Sequence, residues 1–142
     1  TLGMSPRGNP MRSAAAAGVA HALLSPGCTF AWAPRVVRAG MGAHFALKIY
    51  EQVDVPNALA NYSGRIVALA GSAEQSLFDI DLRGEVAFLI GNEGAGLSPQ
   101  WLGLAHAQVR IPMPGKIESL NAAAAAAIAM FERVRQTNAT AT

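Results

Sequence analysis

Five apolar runs of strand length punctuate the chain: Val19 to Leu24, Phe45 to Tyr50, Arg65 to Ala70, Val86 to Ile90 and Val109 to Met113. The third and fourth, RIVALA and VAFLI, are almost continuously apolar, which predicts strands buried on both faces as in parallel sheets. The segments between them read differently. Met11 to Ala17 predicts a short helix stopped by Gly18, Pro34 to Gly42 begins with a helix-starting proline, and Pro56 to Ala60 has helical character. Gln75 to Leu77 and Asp79 to Leu82 read as a polar link, and Pro99 to Leu104 as a helix entered from Ser98 as its cap. Pro112, Pro114 and Gly115 end the fifth strand. Beyond them, six consecutive alanines with apolar residues at Leu120, Ala124, Ile128, Phe131 and Val134 predict a long helix capped by Ser119. The alternation of strands and helices predicts an α/β fold: one domain over residues 1–142, a mainly parallel sheet and flanking helices.

Composition narrows the class. Hydrophobic residues make up 51% of the chain and charged residues 14%, which excludes a disordered polar chain and predicts an apolar subunit interface. The net charge of +2 permits an anionic partner without demanding one, and Arg35 and Arg38 place a small basic face on the second helix. Cys28 is the only cysteine, so there is no disulfide framework. His21, His44 and His106 are scattered and read as structural or surface residues, so no metal site is expected. No run reaches the roughly 18 apolar residues of a membrane span, and Thr1 to Pro10 reads as a loop and not a signal peptide. The expectation is a soluble, cytoplasmic protein that does not engage a membrane.

Candidate chemistry gathers at two places. One is the junction of the fifth strand with the alanine helix, where Ser119 and Asn121 stand beside helix-entry N–H groups suited to a polar or anionic ligand. The alanines make that helix slim, so another backbone or a flat ligand can come close; capping and packing alone would also account for these residues. The other is GNEGAG at Gly91 to Gly96, which follows a buried strand where open α/β sheets bind ligands. Its G-x-x-G-x-G spacing is neither a dinucleotide fingerprint nor a phosphate loop, which sets NAD and ATP aside. Glu93 in this loop can accept a hydrogen bond from Arg12 or from a neighbouring subunit. Arg12 itself lies in the first turn of a helix, where its charge opposes the helix dipole and an anionic ligand would give it a role.

Three segments together are specific. GNPMRSAAAAG at Gly8 to Gly18, FLIGNEGAGL at Phe88 to Leu97 and IPMPGKIESLNAAAAAAIAMFE at Ile111 to Glu132 resemble, in order and spacing, the motifs of the SpoU (TrmH-type) branch of the SPOUT superfamily of RNA ribose 2′-O-methyltransferases. The resemblance covers most of the chain. The chain departs from it at Pro6, where the family has asparagine; the strand expected ahead of the first motif is not evident, nor is an auxiliary RNA-binding domain.

The resemblance implies a C-terminal trefoil knot, an exception to the rule that chains do not thread their own loops. It implies S-adenosylmethionine as cofactor, held by Gly91, Ile111 and Leu120 with Leu69, Ala70, Gly71, Asn92 and Met113 close by, backbone groups reading the adenine edge. It implies a homodimer acting on transfer or ribosomal RNA, with Arg12, Glu93, Ser119 and Asn121 as catalytic residues. A guanidinium stays protonated, so Arg12 is read as a clamp on phosphate and developing alkoxide charge and not as a general base. A catalytically idle knot domain that binds RNA or a scaffold partner is the alternative, supported by Pro6 and by the strand that is not evident ahead of the first motif. A small-molecule methyltransferase on a Rossmann domain would need a glycine loop after the first strand, which the chain lacks.

Overall fold

A computed structural model describes residues 2–3, 17–19, 21–23, 48–50, 53–91, 97–115 and 122–141. Seven strands form one sheet: β1 (Leu2–Gly3), β2 (His21–Leu23), β3 (Lys48–Tyr50), β4 (Arg65–Leu69), β5 (Gln75–Ser76), β6 (Val86–Leu89) and β7 (Ala107–Arg110). Their order across the sheet is β3-β2-β1-β6-β4-β7-β5, and every pairing is parallel. The α/β fold with a parallel sheet is thus the one the sequence predicts.

The sheet is covered on both faces because its central strands alternate between two apolar sets. Val67, Val86, Phe88, Ile90 and Val109 pack with Ala126, Ala129 and Met130 of helix α3 (Ala122–Ala141). Ile66, Ala68, Ala87 and Leu89 pack with Val55 and Leu59 at helix α1 (Val55–Ala58), and Trp101, Leu102 and Leu104 of helix α2 (Pro99–Leu104) lean on that side. All four residues of β6 are buried, as continuous apolarity predicts. Both short helices start as their sequences dictate: Asp54 accepts from Asn57 N–H and Ser98 from Trp101 N–H, each with a proline in the first turn. Gly18 has φ 78°, a left-handed conformation open to glycine; the helices expected over Met11 to Ala17 and from Pro34 to Gly42 lie outside the described residues.

Four expectations need correction. A strand does stand ahead of the first motif: Leu2–Gly3 pairs with β2 on one side and β6 on the other. The stretch from 75 to 82 is no polar link, since β5 and a 3-10 turn (Leu77–Asp79) occupy it and Leu77, Ile80 and Leu82 are buried in the cluster with α3; three apolar residues between polar ones suffice when they join one cluster. The fifth strand begins two residues earlier than its apolar pattern suggests, at Ala107, because backbone pairing to β4 continues through polar Gln108. The stripe of α3 is only partly as expected: Ile128 and Val134 pack against the core beside buried Ala126, Ala129 and Met130, whereas Phe131 is 45% exposed. The small alanines let the helix sit close to the sheet, and Phe131 turns away from it.

Side chains of α3 fasten it to the loop after the 3-10 turn. Gln136 accepts from Leu82 N–H at 2.7 Å and donates to Ile80 C=O at 3.0 Å, while Arg133 donates twice to Gly84 C=O. Gly84 takes φ 82°, which a side chain would resist.

Candidate functional site

The register brings the carboxyl ends of three neighbouring strands level. Ala68 pairs with Leu89 of β6 and Leu69 with Val109 of β7, so the turns that follow β6, β4 and β7 open side by side at one sheet edge. With strands about 4.8 Å apart, the three turns span roughly 10 Å. They carry Gly91, then Leu69, Ala70 and Gly71, then Ile111 and Met113. The carboxyl edge is where open α/β sheets hold ligands.

The three turns present a half-buried apolar surface. Leu69 and Ile111 rest on the core cluster shared with α3, and Met113 is half-buried just beyond. Gly71 is exposed, and a Cβ built on it would meet no atom within 4 Å among the described residues, so the ground above that turn is open. The Ala70 N–H, however, donates to Val109 C=O at 2.9 Å, and Ala70 C=O accepts from Ala73 N–H at 3.0 Å. The Ala70 N–H is therefore committed to the pairing with β7, and Ala70 supports the turn.

The link from β4 to β5 is unusual. Leu69 and Gln75 both pair with Val109, from opposite sides, so the chain crosses from one flank of β7 to the other in the five residues 70–74. Parallel neighbours ordinarily need a crossover of a dozen residues or more. Here five suffice because β5 starts at the level where β4 stops, and the chain never returns to the other edge. Arg110, which the sequence reading passed over, donates through Nη1 to Ala73 C=O at 3.1 Å and to Glu74 C=O. A charged residue between Val109 and Ile111 in a strand packed on both flanks was the available signal.

Gly91, Leu69, Ala70, Gly71, Ile111 and Met113 are thus brought to one edge. Arg12, Asn92, Glu93, Ser119, Leu120 and Asn121 lie outside the described residues, as do Arg35 and Arg38. The chain places Asn92 and Glu93 directly after Gly91, and Asn121 directly before the described start of α3.

The opposite edge differs in kind. A groove of about 680 Å³ opens there at the starts of β4 and β7, lined by Ser63, Gly64, Arg65, Asp79, Asp81 and His106 among others. It is polar and its groups serve the fold. His106 Nδ1 accepts from Ile66 N–H and the His106 N–H donates to Ile66 C=O, both at 2.8 Å, which is the structural role expected of this histidine. Asp81 holds Arg83 in a two-point ion pair that keeps its carboxyl well below the usual range, and Arg65 donates to Asp81 C=O. Among the described residues no cluster of three or more His, Cys, Asp or Glu could hold a metal ion, and no helix is long and apolar enough to cross a membrane.

Comparison with known proteins places this arrangement. Residues 7–131 match the SpoU rRNA Methylase family. The 23S rRNA (guanosine-2′-O-)-methyltransferase RlmB of Xylella fastidiosa is 39% identical over 131 residues, covering 89% of this chain and 52% of the relative. The 23S rRNA (uridine(2479)-2′-O)-methyltransferase of Streptomyces viridochromogenes is 37% identical over 139 residues, covering 91% of this chain and 48% of the relative. The solved structure of the SpoU methyltransferase AviRb from Streptomyces viridochromogenes in complex with the cofactor AdoMet superimposes with a TM-score of 0.81 at 31% identity, over 95% of this chain and 58% of that one. The chain spans about half the length of the curated relatives it matches.

Proposed function

Because this chain belongs to the SpoU rRNA Methylase family, we propose that it transfers a methyl group from S-adenosylmethionine to a ribose 2′-hydroxyl of ribosomal or transfer RNA in the cytoplasm. The names of its relatives favour ribosomal RNA. The observation that carries the reading is the level row of three turns at the carboxyl edge, apolar at Leu69, Ile111 and Met113 and open above Gly71. Such a surface fits a cofactor with a flat base and a thioether-like chain, whose faces apolar side chains cover.

In this reading Leu69, Gly71, Gly91, Ile111 and Met113 hold the cofactor, with Ala70 fixing the turn beneath it and Asn92 and Leu120 completing the wall. The bound cofactor supplies an electrophilic sulfonium methyl. Alignment of the ribose hydroxyl with that methyl falls to the chain, and alignment alone can supply several kcal/mol. Arg12 clamps the neighbouring phosphate and stabilises charge developing on the attacking oxygen, while Glu93, Ser119 and Asn121 orient the hydroxyl and assist loss of its proton. The Arg12→Ala variant loses methyl transfer to a true substrate RNA while keeping cofactor affinity; full transfer by that variant would refute the assignment.

The same reading includes the trefoil knot and the homodimer. The five-residue link across β7 supports the first, since the chain that continues from β7 into α3 must leave past that link. Phe131 supports the second: it is 45% exposed on a helix that packs Ala126, Ala129 and Met130 into the core. A Phe131→Glu variant sediments as a monomer while the parent chain sediments as a dimer; a parent chain that sediments as a monomer would remove this part of the proposal.

The cofactor assignment is tested by calorimetric titration of S-adenosylhomocysteine into the chain and into a Gly71→Leu variant. The expected result is micromolar affinity, on the order of 8 kcal/mol, abolished in a variant that still folds because its new side chain enters open space. Absence of binding by the folded parent chain would favour a catalytically idle RNA-binding domain.

A further inference from the structure

The link that crosses β7 is tied at three points. Ala70 N–H bonds Val109 C=O at its start, Ala73 N–H bonds Ala70 C=O across its middle, and Arg110 Nη1 bonds the carbonyls of Ala73 and Glu74 at its end. The first two ties are backbone to backbone and survive any substitution short of proline. The third depends on one half-buried guanidinium, whose planar donors reach two successive carbonyls in a fixed direction. Those carbonyls lie two and three residues beyond Gly71, and the strand that carries Arg110 runs on at once into Ile111. Arg110 thus joins two of the three turns that form the candidate cofactor surface.

We propose that Arg110 is a positioning residue for cofactor binding: it holds the crossing link 70–74 down on β7 and thereby fixes Leu69 to Gly71 against Ile111 and Met113. The inference rests on the proposed placement of S-adenosylmethionine at these turns. Loss of the guanidinium frees the far end of the link, so the turn must be ordered when the cofactor arrives, and that ordering is subtracted from affinity.

Three variants test this. Arg110→Met removes the tie and keeps much of the side chain's bulk; Arg110→Lys restores a cation with freely rotating donors; Arg133→Met removes a comparable guanidinium-to-carbonyl tie at Gly84, away from the turns. Affinity for S-adenosylhomocysteine is read by calorimetry and stability by thermal melting, and the cofactor KM and kcat are read on ribosomal RNA. Arg110→Met weakens the analogue by about tenfold, the scale of a lost charged hydrogen bond, raises the cofactor KM with little change in kcat, and is partly rescued in Arg110→Lys. Arg133→Met melts earlier and binds as the parent does. Parent-like affinity in Arg110→Met, or equal weakening in Arg133→Met, would overturn the proposal while leaving the cofactor assignment intact. A parent chain that fails to bind the analogue would overturn both.

Discussion

The two edges of the central sheet are built from different materials. At the amino edge and the adjoining loop 80–84, long polar side chains reach in from α3 and from neighbouring turns: Gln136 to Ile80 and Leu82, Arg133 to Gly84, Arg83 to Asp81. Among the described residues at the carboxyl edge of β6, β4 and β7, backbone bonds hold the turn after β4, the apolar side chains are half-buried, and no described atom lies within 4 Å of a Cβ built on Gly71. One edge uses its polar groups to close the fold; the other leaves apolar surface and backbone available.

If that contrast is right, damage beneath α3 should cost stability, and damage at the turns should cost affinity. The largest effect is expected for Leu77→Ala, which empties a fully buried site between the 3-10 turn and α3. It should lose about 2–5 kcal/mol in urea unfolding, with cofactor affinity of the folded fraction unchanged. Next is Gly64→Ala. Its Cβ would lie 2.6 Å from Glu85 C=O, a backbone atom that cannot swing aside, so about 1–3 kcal/mol of overpacking strain is expected in the same assay. Gln136→Ala strips partners from Leu82 N–H and Ile80 C=O. Leu82 and Ile80 are buried, so the loss should be about 1–3 kcal/mol, with faster amide exchange at Leu82.

The smallest effect is a pH dependence at Glu132. This carboxylate is 6% exposed on α3, and its pKa is lowered from an ordinary value of 4.5, first by the two hydrogen bonds from Arg135 and then by the bond from Gln136. A group whose folded pKa is depressed contributes stability that is complete above its unfolded pKa and is lost as pH falls toward the folded one. Melting temperature should therefore fall as pH is lowered below about 4.5, and Glu132→Gln should flatten that part of the profile. An unchanged profile in the variant would mean that the pair with exposed Arg135 is too well solvated to matter.

Much of this division was legible in the sequence, for identifiable reasons. RIVALA and VAFLI announce buried parallel strands because nothing polar interrupts them, and Ser98-Pro99 announces α2 because cap and proline are local signals. Gly91, Leu69 and Ile111 could be named as neighbours only through the motif resemblance, since no local pattern says which strand ends meet. On α3 the apolar period placed Ile128 and Val134 against the core, but it could not tell that Phe131 stays exposed while Ala126 and Ala129 are buried, because the alanine run is apolar all round. Arg110 and Gln136 escaped notice because their partners are backbone carbonyls and amides dozens of residues away, and backbone groups leave no trace in composition or period.

The central claim, that the cofactor lies across the three turns of the carboxyl edge, is tested most directly by amide hydrogen exchange with and without S-adenosylhomocysteine. Slower exchange in peptides covering Leu69 to Gly71, Ile90 to Gly91 and Ile111 to Met113, with no change at Ile80 to Gly84, is the predicted result. Protection confined to the groove beside Arg65, Asp79 and His106, with the three turns unaffected, would contradict it.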